Sequence, residues 1–292
     1  MLTRMTACCA ALLYLAFSST TALAQEAAKP YWPVYGMPGK DVLWAPAEAG
    51  MVNKVMELAR VGPGDVVVDL GSGDGRTVIA AARHGAQGIG VEFNQDLVNL
   101  SRSFAKNAGV AARTRFIKQN LFDFDLGKAS VITLFLTPVI NMKLRPALLD
   151  LKPGTRVISI IFGMEDWQHD DSVRDESIPN CGAYCLAYLW VVPARVAGTW
   201  RLAHGEFRLE QRFQMVTGTL SAGGTSVPVS GRLRGDHITL TAADSVEFTG
   251  RVVGKEMGGT VRINGVGNGW HAVLAGGSIK PSTPTKEKRH AR

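Results

Sequence analysis

Cysteine is scarce in this sequence, and its N-terminal apolar stretch is short. The 292 residues include four cysteines, of which Cys8 and Cys9 lie close to the N-terminus. The other two, Cys181 and Cys185, have no further cysteine and no paired histidines nearby, so we predict no metal site. The apolar stretch at residues 10–17 is too short to span a bilayer comfortably. These absences argue against a zinc protein and against a membrane-spanning N-terminus.

The first residues are typical of an export signal. Arg4 supplies a positive charge, residues 10–17 supply the apolar core, and Ala22-Leu23-Ala24 is a small-x-small cleavage site before Gln25. We therefore predict a signal peptide at residues 1–24 and an exported, periplasmic protein without a stable transmembrane span. The alternative is a protein anchored to the membrane by an uncleaved N-terminal segment.

Export has a consequence for the cysteines. Cys8 and Cys9 would leave with the signal, so the mature chain would contain Cys181 and Cys185 alone. Because an exported protein meets an oxidising compartment, these two are candidates for a disulfide across a small loop. Two free, buried thiols are the alternative.

Positive charge is concentrated at the C-terminal end. The formal net charge is +7, and several lysines and arginines follow two prolines near the end of the chain. We predict a disordered basic tail at residues 278–292. No aromatic side chain is interleaved with these charges, which favours a solvated tail over a nucleic-acid-binding arm. We expect no nucleic-acid partner.

The most informative stretch runs from Asp65 to Arg76. Four apolar residues around Asp69 are typical of a central parallel strand that is covered on both faces. Gly71, Gly73 and Gly75 follow, and glycines let a backbone turn sharply and approach a ligand closely. A helix that begins directly after such a turn presents free N–H groups. The pattern predicts a nucleotide-like cofactor, and an ordinary strand-turn-helix unit without a ligand is the alternative.

Two acidic residues and one missing glycine indicate which cofactor. Arg76 stands where the dinucleotide fingerprint requires its third glycine. Asp69 ends the strand where a carboxylate can accept a bond from a cationic amino group, which favours the zwitterionic amino-acid end of S-adenosylmethionine. Glu92 ends the next strand about twenty residues on, the spacing at which an acid meets ribose hydroxyls.

Helices and strands alternate up to about residue 192, which predicts a doubly wound, Rossmann-like α/β sheet. Its ligand should lie beyond the carboxyl ends of the first strands, where Asp69, Gly71, Gly73, Glu92 and Asn120 would meet. The predicted elements are a helix opening at Pro46, a helix at 77–84, a strand at 88–92, a helix capped by Asn94, strands at 114–118 and 131–136, a helix at 141–149 interrupted by Pro146, and strands at 156–161 and 184–192.

The pattern changes after Pro193. Short runs of alternating apolar and polar residues appear, and glycine-containing turns separate most of them. This spacing predicts a small antiparallel barrel or sandwich, in which Pro228 fits only an edge strand. The predicted organisation after the signal is an extended lead-in at 25–42, an α/β domain at 43–194, an all-β domain at 195–277 and the basic tail.

At this point the sequence resembles the class I S-adenosylmethionine-dependent methyltransferases. More narrowly, it resembles the protein lysine methyltransferases of the ATP synthase c subunit and the adenine nucleotide translocase, together with their bacterial exported relatives. The resemblance covers roughly residues 43–190, and the all-β region lies outside it. The matching stretches are Trp44-Ala45-Pro46, residues 69–76, Gly90-Val91-Glu92-Phe93-Asn94, Leu100-Ser101-Arg102, Phe135-Leu136-Thr137-Pro138, and Phe162 followed by Trp167.

The resemblance implies S-adenosylmethionine as the cofactor. Asp69, Gly71 and Gly73 would hold its methionine part, Glu92 its ribose, and Asn120 or Leu121 would border the adenine. The amide of Asn120 departs from the aspartate common at that position. The full set of predicted cofactor-binding residues is Asp69, Gly71, Ser72, Gly73, Glu92, Phe93, Asn120 and Leu121.

The resemblance also implies an acceptor, a lysine of a protein substrate. The sequence has no Asp/Asn-Pro-Pro-Tyr run, which disfavours methylation of nucleic-acid bases or glutamine. The candidates for the acceptor channel are Trp44, Phe135, Thr137, Pro138 and Trp167, although the three aromatic residues fit a core equally well. The alternative to an enzyme is an exported ligand-binding or scaffold protein that keeps the methyltransferase fold.

Overall fold

The computed structural model describes residues 31–243 and 245–276, and the features below belong to the compact unit that begins at Pro33. The predicted signal peptide, the first part of the lead-in and the predicted basic tail lie outside the described residues. Within the described ranges, none of the helices has the length and apolar character needed to cross a membrane.

Seven strands form a mixed sheet in the order β3-β2-β1-β4-β5-β7-β6. The first five are parallel, and β7 runs antiparallel between β5 and β6. Leu70 is level with both Val91 and Leu134, so these strands end at one edge. The strands are β1 (Val66–Leu70), β2 (Gln87–Glu92), β3 (Thr114–Lys118), β4 (Val131–Leu134), β5 (Arg156–Ile160), β6 (Asp171–Arg174) and β7 (Leu186–Val191).

Helices cover both faces of this sheet, as the doubly wound prediction requires. Alternate residues of β1 separate the two cores: Val67 packs in the cluster that contains α1, and Val68 packs in the cluster that contains α4. The helices are α1 (Ala49–Leu58), α2 (Arg76–Arg83), α3 (Gln95–Asn107) and α4 (Pro138–Leu149). Asn94 caps α3 as predicted, because its side-chain oxygen accepts from the N–H groups of Asp96 and Leu97.

Two helix predictions were wrong. Pro46 does not open α1, which begins at Ala49; the carbonyl oxygen of Ala47 instead accepts a 2.7 Å hydrogen bond from Arg76. Pro146 does not interrupt α4, which is continuous and begins at Pro138. Pro138 is tolerated as the first residue of α4 because the N–H that a proline lacks would have no partner in the first helical turn.

The last strands of the sheet differ from the prediction too. The strand expected at 184–192 begins at Leu186, and β6 was not predicted. The sequence of β6, Asp-Ser-Val-Arg, is largely exposed at the edge of the sheet. It therefore lacks the alternation of apolar residues by which a half-buried strand is recognised.

Eight further strands close into an antiparallel barrel, so of the two predicted forms the barrel is present. Each strand pairs with the next along the chain, and Leu274 of the last strand lies opposite Trp200 of the first. The barrel interior contains Trp200, Phe207, Phe248 and Trp270, and the last three make edge-to-face contacts with one another. The strands are β8 (Gly198–Leu202), β9 (Gly205–Arg212), β10 (Met215–Ala222), β11 (Thr225–Arg234), β12 (His237–Ala242), β13 (Val246–Val253), β14 (Glu256–Ile263) and β15 (Val266–Leu274).

The edge-strand prediction for Pro228 was wrong, because β11 pairs on both sides. Pro228 itself lies opposite Thr219 of β10, while the pairing with β12 begins one residue later at Val229. The proline therefore occupies a place where no donor toward β12 is needed. The predicted domain boundary at residue 194 stays a prediction; it falls between β7 and β8.

The barrel is attached to the sheet through the turn between β9 and β10. Phe213 of this turn stacks on Trp167, with ring centroids 6.0 Å apart and an angle of 18° between the planes. Arg145 of α4 and Arg212 of the barrel both bond Asp166, at 2.5 and 2.9 Å. Burial opposes ionisation of Asp166, yet the bonds from Arg212 and Arg145 hold its pKa below the ordinary value.

We expect the Phe213→Ala substitution to lower the free energy of unfolding by about 3 kcal/mol, because it leaves a cavity against Trp167. Denaturant titration measures this loss. Met215→Ala is the control, since Met215 lies two residues further on and is half-exposed. Equal stabilities of the two variants would show that the stacked rings do not hold the barrel to the sheet.

Candidate cofactor and acceptor site

The glycine turn after β1 is folded tightly. Gly71, Gly73 and Gly75 all have positive φ angles, of 78°, 53° and 81°. The N–H groups of Gly71 and Ser72 both donate to the carbonyl oxygen of Val91, at 2.8 and 3.1 Å. A Cβ on Gly71 would lie 3.0 Å from Leu136. Glycine is thus required both for the backbone conformation and for the close approach of the chain beyond β4.

Glu92 supports this turn from the end of β2. One carboxylate oxygen accepts a 3.0 Å hydrogen bond from the N–H of Gly73, and the other accepts a 2.8 Å bond from the N–H of Asn94. The carboxylate is therefore held in one orientation at the edge of the sheet. Its remaining lone pairs are available to hydroxyl donors, the groups that a ribose presents.

A cleft of about 440 Å³ lies at this edge. Gly71 and Glu92 form one side, residues 118–121 form a second, and Leu136 with Ile140 of α4 forms a third. Residues 37–44 cover it. The size is in the usual range for a small-molecule cofactor site.

The cover was missed by sequence reasoning, which treated residues 25–42 as an extended lead-in. Pro38 and Leu43 instead form a β-bridge, and the N–H of Trp44 donates to the carbonyl oxygen of Met37 at 2.9 Å. This hairpin-like turn places Trp44 over Gly73, because a Cβ on Gly73 would lie 3.0 Å from the indole nitrogen. The prolines and glycines of the segment indicated turns, but nothing in them indicated what the turns would cover.

The structure brings most of the predicted cofactor residues to one place. The side chain of Asn120 also forms hydrogen bonds with the residues that follow it. Its amide oxygen accepts from the N–H of Phe122, and its amide nitrogen donates to Asp123. Ser72 does not face the cleft; its buried hydroxyl has no hydrogen-bond partner and points toward Gly90. The predicted cofactor residues that line the cleft are Gly71, Glu92, Phe93, Asn120 and Leu121. Trp44, which was predicted for the acceptor channel, lines it as well.

Asp69 is buried and does not line the cleft. Its carboxylate accepts a 2.6 Å hydrogen bond from the hydroxyl of Thr133. Burial is the main reason that the pKa of Asp69 is raised to about 7, and the negative charges of Glu92 and Asp74 add to the shift. The bonds from Thr133 and Thr77 act in the opposite direction.

The acceptor candidates separate into two groups. Thr137 precedes α4 and Pro138 is its exposed first residue, so both lie at the carboxyl edge with Phe135. Trp167 is buried, with its ring 6.0 Å from those of both Trp190 and Phe213. It belongs to the core between the sheet and the barrel, and not to the cleft.

Cys181 and Cys185 are paired in the structure. Their Cα atoms are 5.2 Å apart, within the range of disulfides, and both side chains are buried. The loop between them carries Tyr184, whose ring meets that of Phe135 edge-to-face at 5.6 Å. Sequence reasoning found the cysteine pair but not this tyrosine, because its neighbour Phe135 is 49 residues away in the chain.

Part of this chain is similar to known proteins. Residues 69–171 match the family described as the ANTKMT methyltransferase domain. A protein-lysine N-methyltransferase of Saccharolobus islandicus is 36% identical over 138 residues, which are 46% of this chain and 86% of the relative. The lysine N-methyltransferase of the ATP synthase c subunit from Xenopus laevis is 37% identical over 49% of this chain and 63% of its own length.

Two further matches extend the comparison. The adenine nucleotide translocase lysine N-methyltransferase of Mus musculus is 37% identical over 44% of this chain and 56% of its own length. An RNA methyltransferase from Salinibacter ruber, solved with S-adenosyl-L-homocysteine, is 44% identical over 52% of this chain and 96% of its own, with a TM-score of 0.48. The Saccharolobus islandicus relative, of which this chain covers 86%, shows that the chain belongs to the family of protein-lysine N-methyltransferases, and residues 69–171 match the ANTKMT methyltransferase domain.

Proposed function

We propose that this protein transfers a methyl group from S-adenosylmethionine to the side-chain nitrogen of a lysine in a protein substrate. The observation that carries the proposal is the Glu92 carboxylate, held by the N–H groups of Gly73 and Asn94 beside the glycine turn. The family membership supports the same activity. It also disfavours the alternative of a scaffold without catalysis, since the relatives named above are enzymes.

The residues at the cleft fit this cofactor. Glu92 presents acceptors suited to ribose hydroxyls, and Gly71 of the glycine turn lines the same cleft. S-adenosylmethionine, when bound, supplies a methyl group that its positive sulfur already activates. What remains for the protein is to align a neutral amine with that methyl group and to keep water away from it.

We further propose that the protein acts outside the cytoplasm. The support is the N-terminal sequence, with Arg4, the apolar core and the Ala22-Leu23-Ala24 site. The paired Cys181 and Cys185 fit an oxidising compartment. An exported enzyme needs a supply of S-adenosylmethionine, which is made in the cytoplasm, so its substrate and donor must meet at the membrane or beyond it.

Glu92→Gln tests the cofactor site. A carboxamide offers one oxygen, so either Gly73 or Asn94 loses its acceptor, and the charge toward the ribose is lost. Since a hydrogen bond to a charged group contributes about 1.5–3 kcal/mol, we expect affinity for S-adenosylmethionine to fall about 100-fold in calorimetric titration. Glu57→Gln on the exposed side of α1 is the control.

The transfer itself is tested with cell-envelope proteins and S-adenosylmethionine that carries a labelled methyl group. We expect the label in methylated lysine after hydrolysis, and much less of it with the Glu92→Gln variant. Absence of S-adenosylmethionine binding by the folded wild-type protein, or label in another residue type, would refute the proposal.

A further inference from the structure

Two segments that are far apart in the chain meet beyond the carboxyl end of β4. The first is the turn at residues 34–37, where the N–H of Met37 donates to the carbonyl oxygen of Val34 at 2.9 Å. The second is the loop closed by Cys181 and Cys185. They touch through Tyr35 and Tyr184, whose hydroxyl oxygens are 3.4 Å apart.

Phe135 completes a set of three rings that we call the aromatic trio: Tyr35, Phe135 and Tyr184. Phe135 follows β4 directly, and it lines a small cavity together with Asp69 and Thr133. The trio therefore lies beside Asp69, where the sequence resemblance places the methionine end of the cofactor. Tyr184 is 37% exposed and Tyr35 is 65% exposed, so their rings face solvent.

The position of Tyr184 is fixed from several sides. Its N–H donates to the carbonyl oxygen of Cys181 at 2.9 Å. In the segment that leads into the loop, Asp175 lies 3.7 Å from Lys54 of α1. Ile178 packs so closely on Gly50 that a Cβ on this glycine would lie 2.9 Å from it. The disulfide and α1 thus hold the loop in place.

Building on the proposed function, we propose that the aromatic trio is the entrance through which the acceptor lysine reaches the methyl donor, and that the Cys181–Cys185 loop positions Tyr184 for this role. The exposed ring faces attract an alkylammonium group. Nearer Phe135, which is half-buried, desolvation favours the neutral amine, and the proton leaves to water. The amine nitrogen then bonds to the methyl carbon as the carbon–sulfur bond breaks, leaving S-adenosylhomocysteine.

Two calorimetric probes separate the entrance from the cofactor site. The first is S-adenosylhomocysteine. The second is an analogue in which nitrogen replaces sulfur and a two-carbon link leads to a butylamine, so that a secondary amine occupies the place of the lysine nitrogen. We expect the wild-type protein to bind the analogue about tenfold more tightly than S-adenosylhomocysteine, because its amine arm contacts the trio.

Substitutions then assign this preference to the trio. Tyr184→Ala should abolish the preference without changing affinity for S-adenosylhomocysteine, and Tyr184→Phe should keep it because the ring remains. The double substitution Cys181→Ser and Cys185→Ser should weaken it, since Tyr184 loses its support. Phe122→Ala is the matched control: Phe122 is 38% exposed and lies next to Leu121, at the predicted adenine end of the cleft.

Each outcome decides between distinct possibilities. A preference that survives in Tyr184→Ala, with normal S-adenosylhomocysteine binding, overturns the assignment of the entrance. If Tyr184→Ala weakens the binding of both S-adenosylhomocysteine and the analogue, the assignment of the entrance is overturned as well, because Tyr184 would then support the cofactor site. Failure of the wild-type protein to bind S-adenosylhomocysteine contradicts the proposed function itself.

Discussion

Gly75→Ala is expected to lower the free energy of unfolding by about 2–4 kcal/mol and to reduce affinity for S-adenosylmethionine. Gly75 has a φ of 81°, which disfavours any residue with a Cβ. The added carbon would also lie 2.6 Å from the ring of Phe116 and 2.9 Å from the Cβ of Ser101. Both neighbours are buried, so the collision is transmitted into the core beneath the glycine turn.

Gly64→Ala is the matched control for this prediction. Gly64 has a similar φ of 93°, but its Cβ would meet no atom within 4 Å. The free energy of unfolding of this variant should fall by only about 1 kcal/mol, the cost of a positive φ for a residue with a Cβ. Denaturant titration and calorimetry on both variants separate backbone strain from collision. Equal decreases in the free energy of unfolding for Gly75→Ala and Gly64→Ala would show that the Phe116 ring moves aside and that the turn tolerates a side chain.

The five parallel strands of the sheet and the glycine turn were predictable because their signals are local. Apolar residues surround Asp69 in one continuous run, and the glycines that follow cannot be replaced without strain or collision. Asn94 likewise caps α3 through groups two and three residues away. Where a structural feature depends on neighbouring residues alone, the pattern of residue types determines it.

Features that depend on distant contacts were not predictable. The same sequence pattern allowed a barrel or a sandwich, and the pairing of β8 with β15 decides between them, across about 70 residues of chain. Trp167 fitted a channel or a core, and the stacking of Phe213 from the barrel decides for the core. The meeting of Tyr35 with Tyr184 has no sequence signal, since 149 residues separate them.

Asp69 is expected to make stability and cofactor affinity respond to pH in opposite directions. Because its pKa is raised from 3.8 to about 7, the folded protein binds more protons than the unfolded chain between these values. The stability that this proton contributes is fully present below pH 4 and is lost as pH rises through 7. The shift of about three units corresponds to roughly 4 kcal/mol, and Asp69→Asn should remove this dependence.

Cofactor binding should show the reverse trend. The ionised carboxylate of Asp69 attracts a cationic ligand at the glycine turn, so affinity for S-adenosylmethionine should rise as pH increases from 6 to 8. Binding below pH 7 should therefore release a proton, which calorimetry in buffers of different ionisation enthalpy detects. Thr133→Val removes a hydrogen bond that lowers the pKa of Asp69, so it should move both transitions to higher pH. Identical pH profiles for the wild-type protein and Asp69→Asn would show that another group controls them.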